Sequence, residues 1–125
     1  MPELHELSIQ TLKMNPTNPG ACTELARRSF VGGDSHAAVG WLYFPLQHSH
    51  LPAVNQLGVI KYRSGATTEA IGHFKDAAKW CRPAAWNLVI AYRNQGDHAA
   101  AADAAKTYSV GSSIQSLRGT LIDEK

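Results

Sequence analysis

The sequence predicts an all-α fold, an α-α superhelix of three helix–turn–helix repeats with a capping helix at each end. Two observations carry this. First, three glycine-centred turns recur: Gly33-Asp34-Ser35-His36-Ala37-Ala38, Gly65-Ala66-Thr67-Thr68-Glu69-Ala70 and Gly96-Asp97-His98-Ala99-Ala100-Ala101, spaced by 32 and 31 residues. A fixed period of that size marks a repeat architecture. Second, each glycine is preceded by a leucine at eight residues (Leu25, Leu57, Leu88) and followed by an alanine at five (Ala38, Ala70, Ala101), and a proline opens each unit (Pro19, Pro52, Pro83).

The elements follow in order. Residues 2–14 place Leu4, Leu7 and Met14 at helical spacing before Asn15-Pro16 and are expected to form the N-terminal cap. The repeats span approximately 19–50, 51–81 and 82–111. Their first helices are Ala21–Val31, Ala53–Ser64 and Ala84–Gln95, each entered near a proline, whose missing N–H costs nothing in a first turn. The glycine ends each one because it reaches φ > 0 without a Cβ penalty. Asp34, Thr67 and Asp97 are the expected N-caps of the second helices. The middle second helix runs on through Ile71, Phe74, Ala77 and Ala78, an apolar stripe at helical steps. In the first repeat Pro45 is expected to end or kink the second helix, leaving Trp41-Leu42-Tyr43-Phe44 as a shortened aromatic turn. Residues 112–123, with Ile114, Leu117 and Leu121 on one face, form the expected C-terminal cap, since a repeat array must cover its terminal apolar faces.

Composition fits one domain, residues 1–125: 44% hydrophobic and 18% charged, too apolar for a disordered chain. A net charge of +2, from 12 Lys+Arg against 10 Asp+Glu, gives no strong field for nucleic acid or an anionic membrane. No apolar run is long enough for membrane insertion. Cys22 and Cys81 lie far apart outside any C-x-x-C pair, which fits a reducing compartment. The first residues show neither a basic nor an apolar signal region, so a cytoplasmic location is expected.

Catalytic chemistry is not expected. His48-Ser49-His50 is the only close histidine pair, and two ligands without a third are too few for zinc. Cys22 and Cys81 read as small packing residues. The acids Glu24, Asp34, Glu69, Asp76, Asp97 and Asp103 are sparse and unpaired, and neither a nucleophile elbow nor a phosphate-binding glycine loop is present. No metal and no cofactor is implied.

The pattern resembles the tetratricopeptide repeat, a helix–turn–helix unit of about 34 residues. The middle unit matches with Leu57-Gly58, Gly65, Ala70, Phe74, Ala77 and Pro83. The third matches at Asn87-Leu88, Ala91-Tyr92, Gly96-Asp97 and Ala101, then has Ala105 where an aromatic is usual. The first matches at Leu25-Ala26, Gly33-Asp34 and Ala38, and then departs at Pro45. The Sel1-like repeat shares the turn chemistry, runs longer and ranks second. The resemblance covers roughly Pro19 to Tyr108.

In that family the first helix of each pair lines a concave groove. Carried over by offset from Leu25, Leu57 and Leu88, the groove positions are Thr23, Glu24, Arg27 and Phe30; Asn55, Gln56, Val59 and Tyr62, with Arg63 on the rim; and Trp86, Asn87, Ile90 and Arg93. The resemblance therefore implies partner binding through Arg27, Phe30, Asn55, Gln56, Val59, Tyr62, Trp86, Asn87, Ile90 and Arg93. Tyr, Trp and Arg among amides is the composition of protein-binding hot spots. Packing of Tyr62 or Trp86 between neighbouring repeats is the alternative for those two. Some members grip chaperone C-terminal carboxylates with a Lys/Asn/Arg clamp. This sequence has Thr23, Arg27, Gln56, Pro83 and Asn87 there, so it does not look like a chaperone-tail receptor.

The expected function is a protein–protein interaction module holding a peptide or helical segment of a partner protein. Its size and architecture are similar to those of small cytoplasmic chaperones of bacterial secretion systems, or of an adaptor. The alternative is a self-associating scaffold, a homodimer or larger assembly, using apolar surface such as Trp41–Leu46.

Overall fold

Prolines open the helix pairs and residues with positive φ turn most of the corners. The structure, a computed structural model, describes residues 18–110. Over them run six helices: α1 (Pro19–Val31), α2 (Ser35–Gln47), α3 (Leu51–Arg63), α4 (Thr67–Ala78), α5 (Arg82–Asn94) and α6 (His98–Thr107). No strand occurs among the described residues. The expected capping helices at 2–14 and 112–123 lie outside the described residues. Pro19, Pro52 and Pro83 sit in the first turns of α1, α3 and α5, where a missing N–H is tolerated.

One hydrogen-bond pattern recurs at five corners. Gly33, Gly65 and Gly96 take φ of 92°, 94° and 84°. The next residue donates its N–H five residues back: Asp34 to Ser29 O at 2.8 Å, Ala66 to Lys61 O at 2.9 Å, Asp97 to Tyr92 O at 3.0 Å. This is the Schellman closure, which satisfies carbonyls left open at a helix C-terminus. Ser49 (φ 54°), between the first two pairs, and Ser109 (φ 56°), after α6, make the same turn without glycine, with His50 N–H bonding Pro45 O and Val110 N–H bonding Ala105 O. The α4–α5 corner differs: Cys81 N–H bonds Ala77 O at 2.8 Å and no residue there has positive φ.

Two expectations about the second helices are corrected. Asp34 and Asp97 cap α2 and α6, accepting from Ala37 N at 2.9 Å and Ala100 N at 3.1 Å. Thr67, however, is the first residue of α4, and Ala66 holds the cap position with no side-chain bond. Nor does Pro45 end or shorten α2, which continues through it to Gln47. Pro45 lies so close to the C-terminus that the backbone bond it forfeits is among the last of the helix, and its ring is buried.

Packing is sequential. Each helix touches the next, α1 also touches α3, and α3 touches α5. This is consistent with a helical repeat. The central α3 thus meets four neighbours. Gly58 brings α3 closest to α4, because a Cβ there would lie 2.5 Å from Phe74 Cε1. Phe74 is fully buried and anchors the larger core cluster with Leu88, Val89 and Ile90 of α5 and Ala101 and Ala104 of α6. A second cluster joins Ala26, Ala38, Leu42, Ala53 and Ile60 from α1, α2 and α3.

Two glycines are therefore needed for different reasons. Gly65→Val has open space around it, so its cost is backbone strain at φ 94°, and unfolding stability should fall by about 1 kcal/mol or more. Gly58→Ala sits within a helix, where alanine is otherwise favoured. There the clash with a ring that has nowhere to move should outweigh propensity by about 1–2 kcal/mol. Adding Phe74→Leu should recover part of that loss. Urea unfolding of the three variants checks this; a Gly58→Ala chain as stable as the parent would remove the close approach from the account.

Candidate functional site

The first helices α1, α3 and α5 offer a side turned away from α2, α4 and α6. On α3 this follows from spacing. Gly58 faces Phe74 of α4, and Gln56, two residues earlier, lies about 200° around the helix. Val59 and Arg63, three and seven residues after Gln56, share its side. The repeat spacing extends this surface into rows across the three helices: Thr23, Asn55 and Trp86; Glu24, Gln56 and Asn87; Arg27, Val59 and Ile90; Phe30, Tyr62 and Arg93.

The structure divides the ten expected binding residues. Arg27, Phe30, Tyr62 and Trp86 are half-buried, and Arg93 is exposed. Asn55, Gln56, Val59, Asn87 and Ile90 are buried, which corrects the expectation that the whole set is open surface. Val59 and Ile90 belong to the larger core cluster, with Tyr62, Trp86 and Phe30 packed at its edge. The packing alternative for Tyr62 and Trp86 thus describes their placement here. Phe30 also lines an open cleft of about 460 Å³ with Ile60 and Arg63.

The buried amides are there because they bond one another. Asn87 Nδ2 donates to Asn55 Oδ1 at 2.9 Å. Two helical turns further on, Asn94 Nδ2 donates to the Tyr62 hydroxyl oxygen at 2.8 Å. Both bonds span 32 residues and join α3 to α5. Gln56 differs: it is only 2% exposed, and its Nε2 has no hydrogen-bond partner. On α1 the Thr23 hydroxyl donates to Pro19 O at 2.8 Å. Arg27 Nη2 reaches Glu24 Oε1 at 2.9 Å and Arg28 Nε reaches the same oxygen at 3.2 Å. Burial pushes the Glu24 carboxyl up, but the hydrogen bonds and charges of the two arginines outweigh it and hold it below the usual carboxylate range. Glu24 is therefore a charged acceptor rather than a proton donor.

Other reactive groups are subdued. Burial pushes the Cys22 thiol up, away from the nucleophilic thiolate, and Cys81 is buried too. Burial likewise lowers the pKa of His50, favouring the neutral ring. Among the described residues no three His, Cys, Asp or Glu side chains converge on a metal position. Among the same residues no helix is long and apolar enough to cross a membrane. Sequence reasoning did not single out Asn94 or the burial of the amides. The signal that could have found them is the pair of matching 32-residue intervals, 55 to 87 and 62 to 94.

The two bridges should differ in energy. Removing one partner of the buried Asn55–Asn87 pair should cost about 1–3 kcal/mol, because a buried amide loses a bond without regaining water. A double-mutant cycle through Asn55→Ala and Asn87→Ala should return a coupling of about 1 kcal/mol. The Tyr62–Asn94 bond is exposed, so the cycle through Tyr62→Phe and Asn94→Ala should return a smaller value. Equal couplings in urea unfolding would contradict the burial argument.

Compared with family models, curated proteins and solved structures, the chain matches none of them.

Proposed function

We propose that this chain is a protein-interaction module of the tetratricopeptide type, its helix pairs stacking into a superhelix. It holds an extended or helical segment of a partner protein across α1, α3 and α5, as an adaptor or secretion-type chaperone does. The observation that carries this is the Gln56 amide. A buried donor without an acceptor costs about 1–3 kcal/mol in the free protein, and a binding surface is where such a cost is recovered. Gln56 sits at the middle of the middle helix, with Glu24 and Asn87 in the same row. Rotation of its side chain presents the donor to a backbone carbonyl of a segment lying across the three helices. The half-buried edges of Phe30, Tyr62 and Trp86 supply apolar contact, and Arg93 at the end of α5 supplies charge for an acidic group.

The near-neutral charge, +2, supports a protein partner over a nucleic acid. Both cysteines are free and buried, which fits a cytoplasmic setting.

The test separates binding from stability. Gln56→Met keeps the side-chain length and removes the orphan donor, so it should raise the unfolding free energy by about 1 kcal/mol. Peptides selected on the parent protein from a random displayed library should bind this variant about fivefold more weakly, the loss of one neutral hydrogen bond. Lys75→Ala, on the outer side of α4, should change neither quantity. If Gln56→Met is less stable than the parent, or binds the selected peptides equally well, the reading is wrong.

A further inference from the structure

We propose that the outer face of α2 is a self-association surface that seats α2 of a second copy of this chain across a two-fold axis. The three second helices occupy equivalent places, so the chain carries its own control for what a solvated outer face looks like. Tyr43 stands where α4 has Lys75 and α6 has Lys106; Phe44 stands where they have Asp76 and Thr107; Gly40 stands where α4 also has a glycine, Gly72, and α6 has Asp103. Lys75, Asp76, Asp103, Lys106 and Thr107 are exposed, as charged and polar residues on an outer face should be. On α2 Tyr43, at one of these positions, is exposed by 68%, and Val39 (47%) and Trp41 (40%) are exposed on the two flanks of that face. Phe44 is half-buried beside them, its ring 4.2 Å from that of His48.

Charge selects the occupant. From Ser35 to Gln47 there is no Asp, Glu, Lys or Arg, so the matching surface must itself be apolar and uncharged. Among the described residues the exposed large apolar side chains are Val31, Val39, Trp41, Tyr43 and Trp80. Trp80 carries the Lys79 ammonium over its ring, 5.0 Å from the centroid, which makes its surroundings cationic. Of the faces that the described residues offer, the one that fits α2 is α2 itself, and an isologous contact closes as a dimer, whereas α2 against Trp80 would propagate. Gly40 lies within the exposed arc, and a Cβ there would meet nothing within 4 Å, so two backbones can cross closely at that point with the aromatics on either side.

Area sets the strength. Val39, Trp41 and Tyr43 together expose roughly 300 Å², and the whole face remains below the ~800 Å² per partner of a standard interface. The dimer should therefore be weak, with a dissociation constant in the micromolar range, and indifferent to salt because no charges meet.

Sedimentation equilibrium of the full chain from low to high micromolar concentration tests this. The parent should pass from monomer to dimer. Tyr43→Lys places on α2 the residue that α4 and α6 both carry at that position, and Gly40→Asp the one that α6 carries, so both are compatible with the helix. Each should weaken association at least tenfold with the circular dichroism spectrum unchanged. Lys75→Ala should leave association as it is. A parent that stays monomeric at every concentration overturns the proposal, whatever else covers the face. So does a dimer that survives both folded α2 variants, or one that Lys75→Ala weakens as much as Tyr43→Lys does.

Discussion

The structure depends on matching, in each helix pair, the volume of the residue after the signature leucine to that of one residue in the second helix. In the middle pair these are Gly58 and Phe74, with the ring occupying the space a Cβ would take. In the first pair the corresponding residues are Ala26 and Leu42, both fully buried in one cluster. In the third they are Val89 and Ala105, the larger side chain now on the first helix. Interiors pack at crystal-like density, so volume lost on one helix must be supplied by the other. The pairs are thus matched one to another and not interchangeable. Ala26 set against Phe74 would repeat the clash that Gly58 avoids. A helix that paired with the wrong neighbour would be overpacked or would leave a void, and either outcome costs more than a kilocalorie. This trading of volume explains why Ala105, which breaks the repeat pattern, does not break the fold.

Once the crossings fix helix spacing, the corners need only return the chain. Three corners use glycine at positive φ, and these were legible because glycine is the residue that reaches that region freely. Two use Ser49 and Ser109 for the same turn, and they were not legible, since serine has no such signature. Pro45 misled for a related reason. Proline forfeits its own bond to the carbonyl four residues back, and here only two residues, Leu46 and Gln47, follow it before the helix ends. Thr67 misled because it lies one residue inside α4, while Ala66 holds the cap without a side-chain bond. What sequence periodicity reports well is which residues share a face. It reports poorly where a given bond is placed.

The candidate site shows the same division. The rows across α1, α3 and α5 could be read from spacing, because residues three, four and seven apart share a helix face. Exposure could not. Asn55, Gln56 and Asn87 look like surface residues by type, and they are buried. Asn87 Nδ2 donates to Asn55 Oδ1, while Gln56 Nε2 is left without an acceptor. The intervals of 32 residues that create the bridges differ by one from the 31-residue interval between Leu57 and Leu88. The bonds therefore run diagonally, and a comparison of equivalent positions alone passes over them.

The two proposed surfaces lie on opposite sides of the helix layers, and that arrangement couples them. Ala38 and Leu42 turn α2 toward α1 and α3, so Tyr43 faces away from the layer that carries Gln56, with Val39 and Trp41 on the flanks. Two copies paired through α2 leave both first-helix layers open. A partner carrying two recognition segments then meets two sites held at a fixed separation. Its second contact becomes intramolecular, and avidity rises without any new interaction at either site. Linkage works in the other direction as well. A bivalent partner that favours the dimer lowers the concentration at which the chain pairs, by the same free energy that pairing adds to binding. A self-contact too small to hold at low concentration would suit this, because the arrival of such a partner, rather than the amount of the chain, would then set the assembly state.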